Sequence, residues 1–409
     1  MAQALDTTAI RADFPILDQQ VNGQPLIYLD NAATSQTPLS VLASYEQYYK
    51  GYNANIHRGA HKLAREATEK FEAARQNLAR HINAADDREI IFTSGVTDSI
   101  NLVANILSLS GEITADHNVI ISGLEHHSNI VPWQMLCERT GAELRVIPIL
   151  DNGTFDMPAF DQLIDKNTAV VSVNHYSNSL GTRNPIEDII AAAKKVDAYT
   201  CIDGAQSAPH ERIDVQSLDC DFYTISGHKM YGPTGTGLLY GRTQVLEKMP
   251  PWRGGGEMIK LVTFEKTTYN ELPFKYEAGT PNIEGAIAFS AAADYVNQIG
   301  LENIAAHERH LAKIATEGLL EIDGLRIYGT AAEKAAVISF LVDGVHHYDL
   351  GTLLDQMGVA VRTGHHCCQP LMARFGITGT VRASFAMYNT EQEAEAFVKS
   401  TQRAINMLR

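Results

Sequence analysis

Residues 89–109 read EIIFTSGVTDSINLVANILSL, and the order of their textures sets the fold. An apolar run from Glu89 to Phe92 meets a turn of small residues, Thr93 to Asp98, then an apolar stretch with helical spacing to Leu109. The reading is strand, tight turn, helix. The alternation repeats downstream, with strand-like segments at residues 118–122, 143–148, 170–173, 199–202, 222–225 and 237–240 and helical ones at 129–140 and 186–197. Upstream, Leu63, Ala67, Phe71, Ala74, Leu78 and Ile82 recur at steps of three and four, an amphipathic helix over 61–82. Residues 26–29, LIYL, read as a strand entering the turn Asp30-Asn31-Ala32-Ala33. Short β-branched runs alternating with helices predict a mostly parallel sheet covered on both faces.

The texture changes after Asn282. Long helices are expected over 283–299 and 301–320, strands near 325–328 and 336–341, and a helix over 349–357. A strand at 359–362, the polar loop HHCC, a strand at 381–385 and a final helix from Thr390 follow, where Thr-Glu-Gln-Glu resembles a capping box. This half reads as α+β. The expected division is a large α/β domain over 21–290 and a smaller α+β domain over 291–409 together with residues 1–20.

The 409 residues exceed what a single core of roughly 250–300 residues supports. With 33 Lys+Arg against 48 Asp+Glu, the net charge of −15 argues against nucleic acid and anionic lipid as partners. Five cysteines exclude a disulfide scaffold. The N-terminal stretch lacks the pattern of a signal peptide, and no apolar run approaches the ~18 residues of a membrane span. A soluble, cytoplasmic protein with reduced thiols is expected, with Cys137, Cys201 and Cys220 as small buried hydrophobes.

Four pieces of chemistry lie at expected strand ends. Lys229, in Ser226-Gly227-His228-Lys229, precedes a Gly-rich turn; because it comes before the glycines, a nucleotide P-loop is ruled out. Asp203 closes a strand 26 residues earlier, where carboxyl ends line the ligand crevice of an α/β sheet. The turn from Thr93 to Thr97 offers hydroxyls and backbone N–H groups to a phosphate. His126, in Glu125-His126-His127-Ser128-Asn129, adds a flat ring. An amine, a carboxylate, a phosphate cradle and a stacking ring are what pyridoxal 5'-phosphate requires.

The stretches GVTDSINLVAN, EHHSNIVPWQ, DGAQSAPH, SGHKMYGPTGTG, EAGTPN and RTGHHC closely resemble the SUF-type (group II) cysteine desulfurases, fold-type I pyridoxal-phosphate enzymes near the selenocysteine lyases. The likeness runs from Arg11-Ala12-Asp13-Phe14-Pro15 to the last helix. It implies a large domain with a mostly parallel seven-stranded sheet and a smaller α+β C-terminal domain. Lys229 would carry the cofactor, Asp203 would pair with its pyridine nitrogen, Gln206 with its phenolic oxygen, and His126 would stack on the ring and shuttle protons as a catalytic residue. Phosphate ligands would be Val96, Thr97, Ser226 and His228, with Thr280 from the other subunit of a homodimer. Asn178 and Arg382 would contact substrate, Arg382 at its α-carboxylate, with Arg362 and His57 bordering the pocket and dimer interface.

The same resemblance makes Cys367 the nucleophile that takes sulfur from L-cysteine as a persulfide, for transfer to a SufE-like or SufU-like acceptor in iron–sulfur cluster assembly. The position after it, often Ala in the family, is Cys368, a bystander or a sulfur trap. A lowered thiol pKa would come from Arg362, His365 or His366. Other readings are a selenocysteine lyase, an aminotransferase or β-lyase that leaves Cys367 idle, and a binding protein with a dead fold. A metal site in HHCC conflicts with the C-x₂₋₄-C spacing of structural zinc, and no metal is expected.

Overall fold

The computed structural model of the chain describes residues 4–409. Its central sheet has seven strands in the spatial order Ile90–Thr93, Gly237–Gly241, Phe222–Ser226, Tyr199–Asp203, Thr168–Asn174, Asn118–Ser122, Glu143–Ile147. Gly237–Gly241 runs antiparallel to both its neighbours, and the other four pairings are parallel. Side chains divide by parity. Ile120, Val171, Ile202 and Leu238 enter one apolar core, while Val119, Ile121, Val170, Cys201 and Leu239 enter another. Each buried Val, Ile or Leu contributes roughly 1.5–3 kcal/mol, so a polar residue on either parity is costly. Both faces are thus covered, which is why these strands read as continuous apolar runs.

A second, four-stranded antiparallel sheet follows in the order Leu325–Tyr328, Val337–Val342, Thr380–Ser384, Arg362–Gly364. The helices Leu301–Leu320 and Glu391–Leu408 pack together beside it, and their buried Leu311, Ala315, Phe397 and Ile405 share one core with Ile338, Phe340 and Val381. Thr390 accepts from the Glu393 N–H at 3.1 Å while the Glu393 carboxylate accepts from the Thr390 N–H at 3.0 Å, the expected capping box.

Several elements differ from expectation. The segment 359–362 is two strands: Val359–Ala360 pairs in parallel with Ile27–Tyr28, and Arg362–Gly364 then joins Thr380–Ser384. The chain changes neighbours at Val361, which no local pattern signals. The segment LIYL therefore pairs with a strand near the C-terminus. The helix expected from residue 129 begins at Val131, after a 3₁₀ turn at His127–Asn129, with Pro132 in its first turn. Short helices at Leu39–Gln47, Met157–Leu163 and Gln369–Phe375 lack the length for a clear period. The hairpin Ile259–Val262/Thr267–Tyr269 exposes Leu261, Val262 and Phe264, so burial leaves no alternation there. Among the described residues, no helix is long and apolar enough to cross a membrane.

Candidate active site

The carboxyl ends of Tyr199–Asp203, Phe222–Ser226 and Thr168–Asn174, with the turn after Ile90–Thr93, open on a cavity of about 300 Å³. Twelve of the fourteen residues singled out in the sequence line it: Val96, Thr97, His126, Asn178, Asp203, Gln206, Ser226, His228, Lys229, Arg362, Cys367 and Arg382. His57 and Thr280 do not. His57 bonds Glu72 at 2.8 Å and stands 3.8 Å from Glu257, and Thr280 lines a separate cavity with Trp252 and Arg253. Ala32, Ala33, Asn174 and Tyr176 also line the site without having been singled out, and so does His366, named only as a neighbour of the Cys367 thiol. The turn Asp30-Asn31-Ala32-Ala33 was legible as a turn, but nothing local ties it to Lys229. The tie is tertiary: Ser35 N donates to the His228 carbonyl at 3.0 Å and Gln206 Nε2 to the Ala32 carbonyl at 2.7 Å.

One end of the cavity suits a phosphate. Gly95, at φ +140°, precedes the fifteen-residue helix Val96–Ser110, which has no side-chain cap. Ser226 Oγ accepts from Val96 N at 2.9 Å, leaving its own proton to donate. The approach is close: a Cβ on Gly237 would stand 2.6 Å from the Gly95 Cα. Unpaired N–H groups, the helix dipole and nearby hydroxyls favour an anion here.

At the sheet edge, Asp203 is buried and its Oδ1 accepts from Ala205 N at 2.9 Å. Burial raises its pKa, opposed by that hydrogen bond and by Lys229. Its Oδ2 makes no hydrogen bond among the described residues, so an acceptor remains for a protonated ring nitrogen. Lys229 follows in the 3₁₀ turn Gly227–Lys229. Burial lowers its pKa, Asp203 opposes this, and Arg382 adds to it, a shift toward the neutral, nucleophilic amine. His126 Nδ1 accepts from Ser128 N at 3.1 Å and meets Ser128 Oγ at 2.8 Å, which leaves the ring proton on Nε2. Burial, then Lys229, pulls its pKa down to about 3, so the ring is neutral at ordinary pH. Amine, free carboxylate oxygen, anion cradle and neutral flat ring converge on one cavity, and this donor set fits pyridoxal 5'-phosphate.

The opposite wall is the loop after Arg362–Gly364. His366 and Cys367 both take left-handed backbone conformations, at φ +51° and +57°. Such conformations cost of order 1–3 kcal/mol and persist where surroundings fix them. Here His127 N donates to the Cys367 carbonyl at 2.8 Å, Cys368 N to the His365 carbonyl at 2.8 Å, and Cys367 N to His365 Nδ1 at 3.1 Å. The result is one exposed thiol, Cys367, and four buried ones. Cys368 Sγ donates to Asn178 Oδ1 at 3.2 Å, and burial pushes its thiol up to about 12. Its buried, protonated thiol leaves the role of sulfur trap without support. His366 bonds Thr380 Oγ1 at 2.7 Å through Nε2, and burial pulls its pKa to about 2. It therefore cannot supply the positive charge expected beside Cys367.

Residues 27–397 match the family model described as aminotransferase class-V. The chain is 50% identical over 408 residues to a probable cysteine desulfurase of Streptomyces coelicolor, covering 98% of each. It is 50% identical over 400 residues to a cysteine desulfurase of Cronobacter sakazakii, again covering 98% of each. Among solved structures it is similar to the cysteine desulfurase CsdA of Escherichia coli, in S-sulfonic acid form, at TM-score 0.92 and 38% identity. It is also similar to an apo cysteine desulfurase of Thermococcus onnurineus, at TM-score 0.94 and 38% identity, both matches covering all of each chain. These relationships make pyridoxal 5'-phosphate the cofactor, in agreement with the cavity's donor set. The chain belongs to the aminotransferase class-V family, as a relative of its cysteine desulfurases.

Proposed function

We propose that this enzyme removes sulfur from L-cysteine, releases L-alanine, holds the sulfur as a persulfide on Cys367 and passes it to an acceptor protein. The observation that carries this reading is the single exposed thiol, Cys367, on the wall of the cavity that also holds Lys229 and Asp203.

Lys229, Asp203, Gln206, His126, Val96, Thr97, Ser226 and His228 are the residues that would hold the cofactor. The chemistry it supplies is an electron sink for the α-carbon of the substrate. Asp203 keeps a proton at the pyridine nitrogen through its free Oδ2. Lys229 Nζ, kept toward its neutral form by burial, takes the proton from the substrate α-carbon. Arg382 binds the α-carboxylate, and its buried Nε, unpartnered among the described residues, supports that role. Cys367 then attacks as thiolate: a bond forms between its Sγ and the substrate sulfur, and the Cβ–S bond breaks. The electron pair of that bond stays with Cβ, which is protonated to the methyl of alanine, and Lys229 Nζ returns a proton to the α-carbon. Substrate carbon is reduced and Cys367 sulfur oxidised, so no outside oxidant is needed.

The acceptor is a SufE-like or SufU-like protein serving iron–sulfur cluster assembly in the cytoplasm. The active form is a homodimer in which Thr280 reaches the phosphate end of the other subunit's cavity; its position outside its own cavity supports this. The test is product analysis on wild type and Cys367→Ala, with L-cysteine or L-selenocysteine, with and without the acceptor. Wild type should give alanine and protein-bound persulfide, and Cys367→Ala neither above background with cysteine. Alanine and transferable sulfur undiminished in the variant would overturn the reading.

A further inference from the structure

Arg362 and Arg382 are direct cross-strand partners in the antiparallel pair Arg362–Gly364/Thr380–Ser384. Like charges facing each other destabilise a sheet, and a buried guanidinium needs an anion. One carboxylate serves both. Asp30 Oδ1 and Oδ2 each accept from Arg362 Nε at 3.1 Å, and Oδ2 accepts from Arg362 Nη2 at 2.8 Å. The same Oδ1 accepts from Arg382 Nη2 at 3.2 Å. The backbone around Asp30 is tied down as well: Asp30 bridges Ser384 in parallel, Ser384 N donates to the Leu29 carbonyl at 2.7 Å, and Ala33 N to the Asp30 carbonyl at 3.0 Å.

The consequence for Arg382 is specific. Its Nη1 donates to the Asn178 carbonyl at 2.8 Å and its Nη2 to Asp30, while its Nε is buried without a partner among the described residues. The two occupied nitrogens fix the guanidinium plane, and Nε is the nitrogen left without a partner. Burial pulls this guanidinium below its ordinary pKa, and Asp30 opposes the pull.

We propose that Asp30 is a positioning residue for carboxylate recognition. It locks Arg382 so that the Nε side faces the α-carboxylate of the amino-acid substrate, and it keeps Arg362 on the cavity wall that carries Cys367. Asp30 acts through the two arginines and does not react. The inference rests on the reading of the cavity as an amino-acid site.

The test compares wild type, Asp30→Asn and Asp30→Glu, each holding its cofactor by visible absorption. Asparagine keeps the shape but cannot hold both guanidinium groups as an anion. For Asp30→Asn the KM for L-cysteine should rise about tenfold, the size of one charge-assisted hydrogen bond, with kcat changed less than about twofold. Inhibition by L-alanine, which carries the α-carboxylate, should weaken by the same factor, and inhibition by cysteamine, which lacks it, should stay unchanged. Asp30→Glu, which keeps the charge, should recover part of the L-alanine affinity. Equal weakening of L-alanine and cysteamine, or an unchanged KM, would overturn the proposal. If Asp30→Asn does not hold cofactor, Asp30→Glu decides: an effect on L-alanine alone supports the role, and an equal effect on both ligands sinks it. Wild type that releases no alanine from L-cysteine would overturn the proposed function, whereas the contrast between L-alanine and cysteamine reads Asp30 separately.

Discussion

Lys229 and Asp203 follow or end strands of the central sheet, whereas Cys367 stands exposed on a loop of the second sheet, held by hydrogen bonds to His127 and His365. The first group is fixed by a seven-stranded scaffold with a core on each face. The second is fixed by a few hydrogen bonds and two residues with positive φ. The contrast matches the chemical demands. Proton handling at a cofactor needs burial that shifts pKa, and sulfur transfer needs a thiol that another protein can reach. Cys367 and Cys368 repeat the contrast between adjacent residues, one exposed and one buried.

The largest effect should come from the sheet side. Lys229→Ala should lower kcat by on the order of 10³-fold or more, because the amine proposed to move the substrate proton is gone. It should also remove the lysine-linked visible absorption band, while Cys367 alkylation by iodoacetamide proceeds as before. An unchanged band would end the assignment. Asp203→Asn comes next: loss of the anion proposed to face the ring nitrogen should cost on the order of 10²-fold in kcat with KM little changed. A pure KM effect would move Asp203 from chemistry to binding.

On the loop side, Cys368→Ala should leave persulfide formation intact and lower stability by about 1 kcal/mol, the cost of a small buried group and its hydrogen bond to Asn178. Persulfide mapping by mass spectrometry checks this, and sulfur found on Cys368 in wild type would break the contrast between the two thiols. The last effect is in pH dependence. His366 has a folded pKa near 2, far below its ordinary 6.5, so below pH 6.5 the unfolded chain gains a proton that the folded one refuses. Its share of stability is complete above pH 6.5 and is lost as pH falls, about 2 kcal/mol by pH 5. His126, His175 and His228, also depressed, add to the same trend. Melting temperature should therefore drop between pH 7 and pH 5, and His366→Asn should make that drop shallower. An equally steep drop in the variant would place the acid sensitivity elsewhere.

The sequence alone determined the alternation of strands and helices, because each buried strand had to be apolar and each helix two-faced. It also determined which residue types stand at strand ends, so the Lys229, Asp203 and His126 set was legible before any fold. Tertiary structure decided what local pattern cannot carry. The pairing of Ile27–Tyr28 with Val359–Ala360 spans more than 300 residues, and it brings Asp30 between Arg362 and Arg382. The motif frame names Cys367 over Cys368, but only the packed chain gives the physical difference, one thiol turned out and its neighbour buried. His57 and Thr280 lie outside the cavity of their own chain, where hydrophobic periodicity and motif spacing say nothing. Periodicity records which face a residue turns to the core, and it holds no information about which distant segment arrives there.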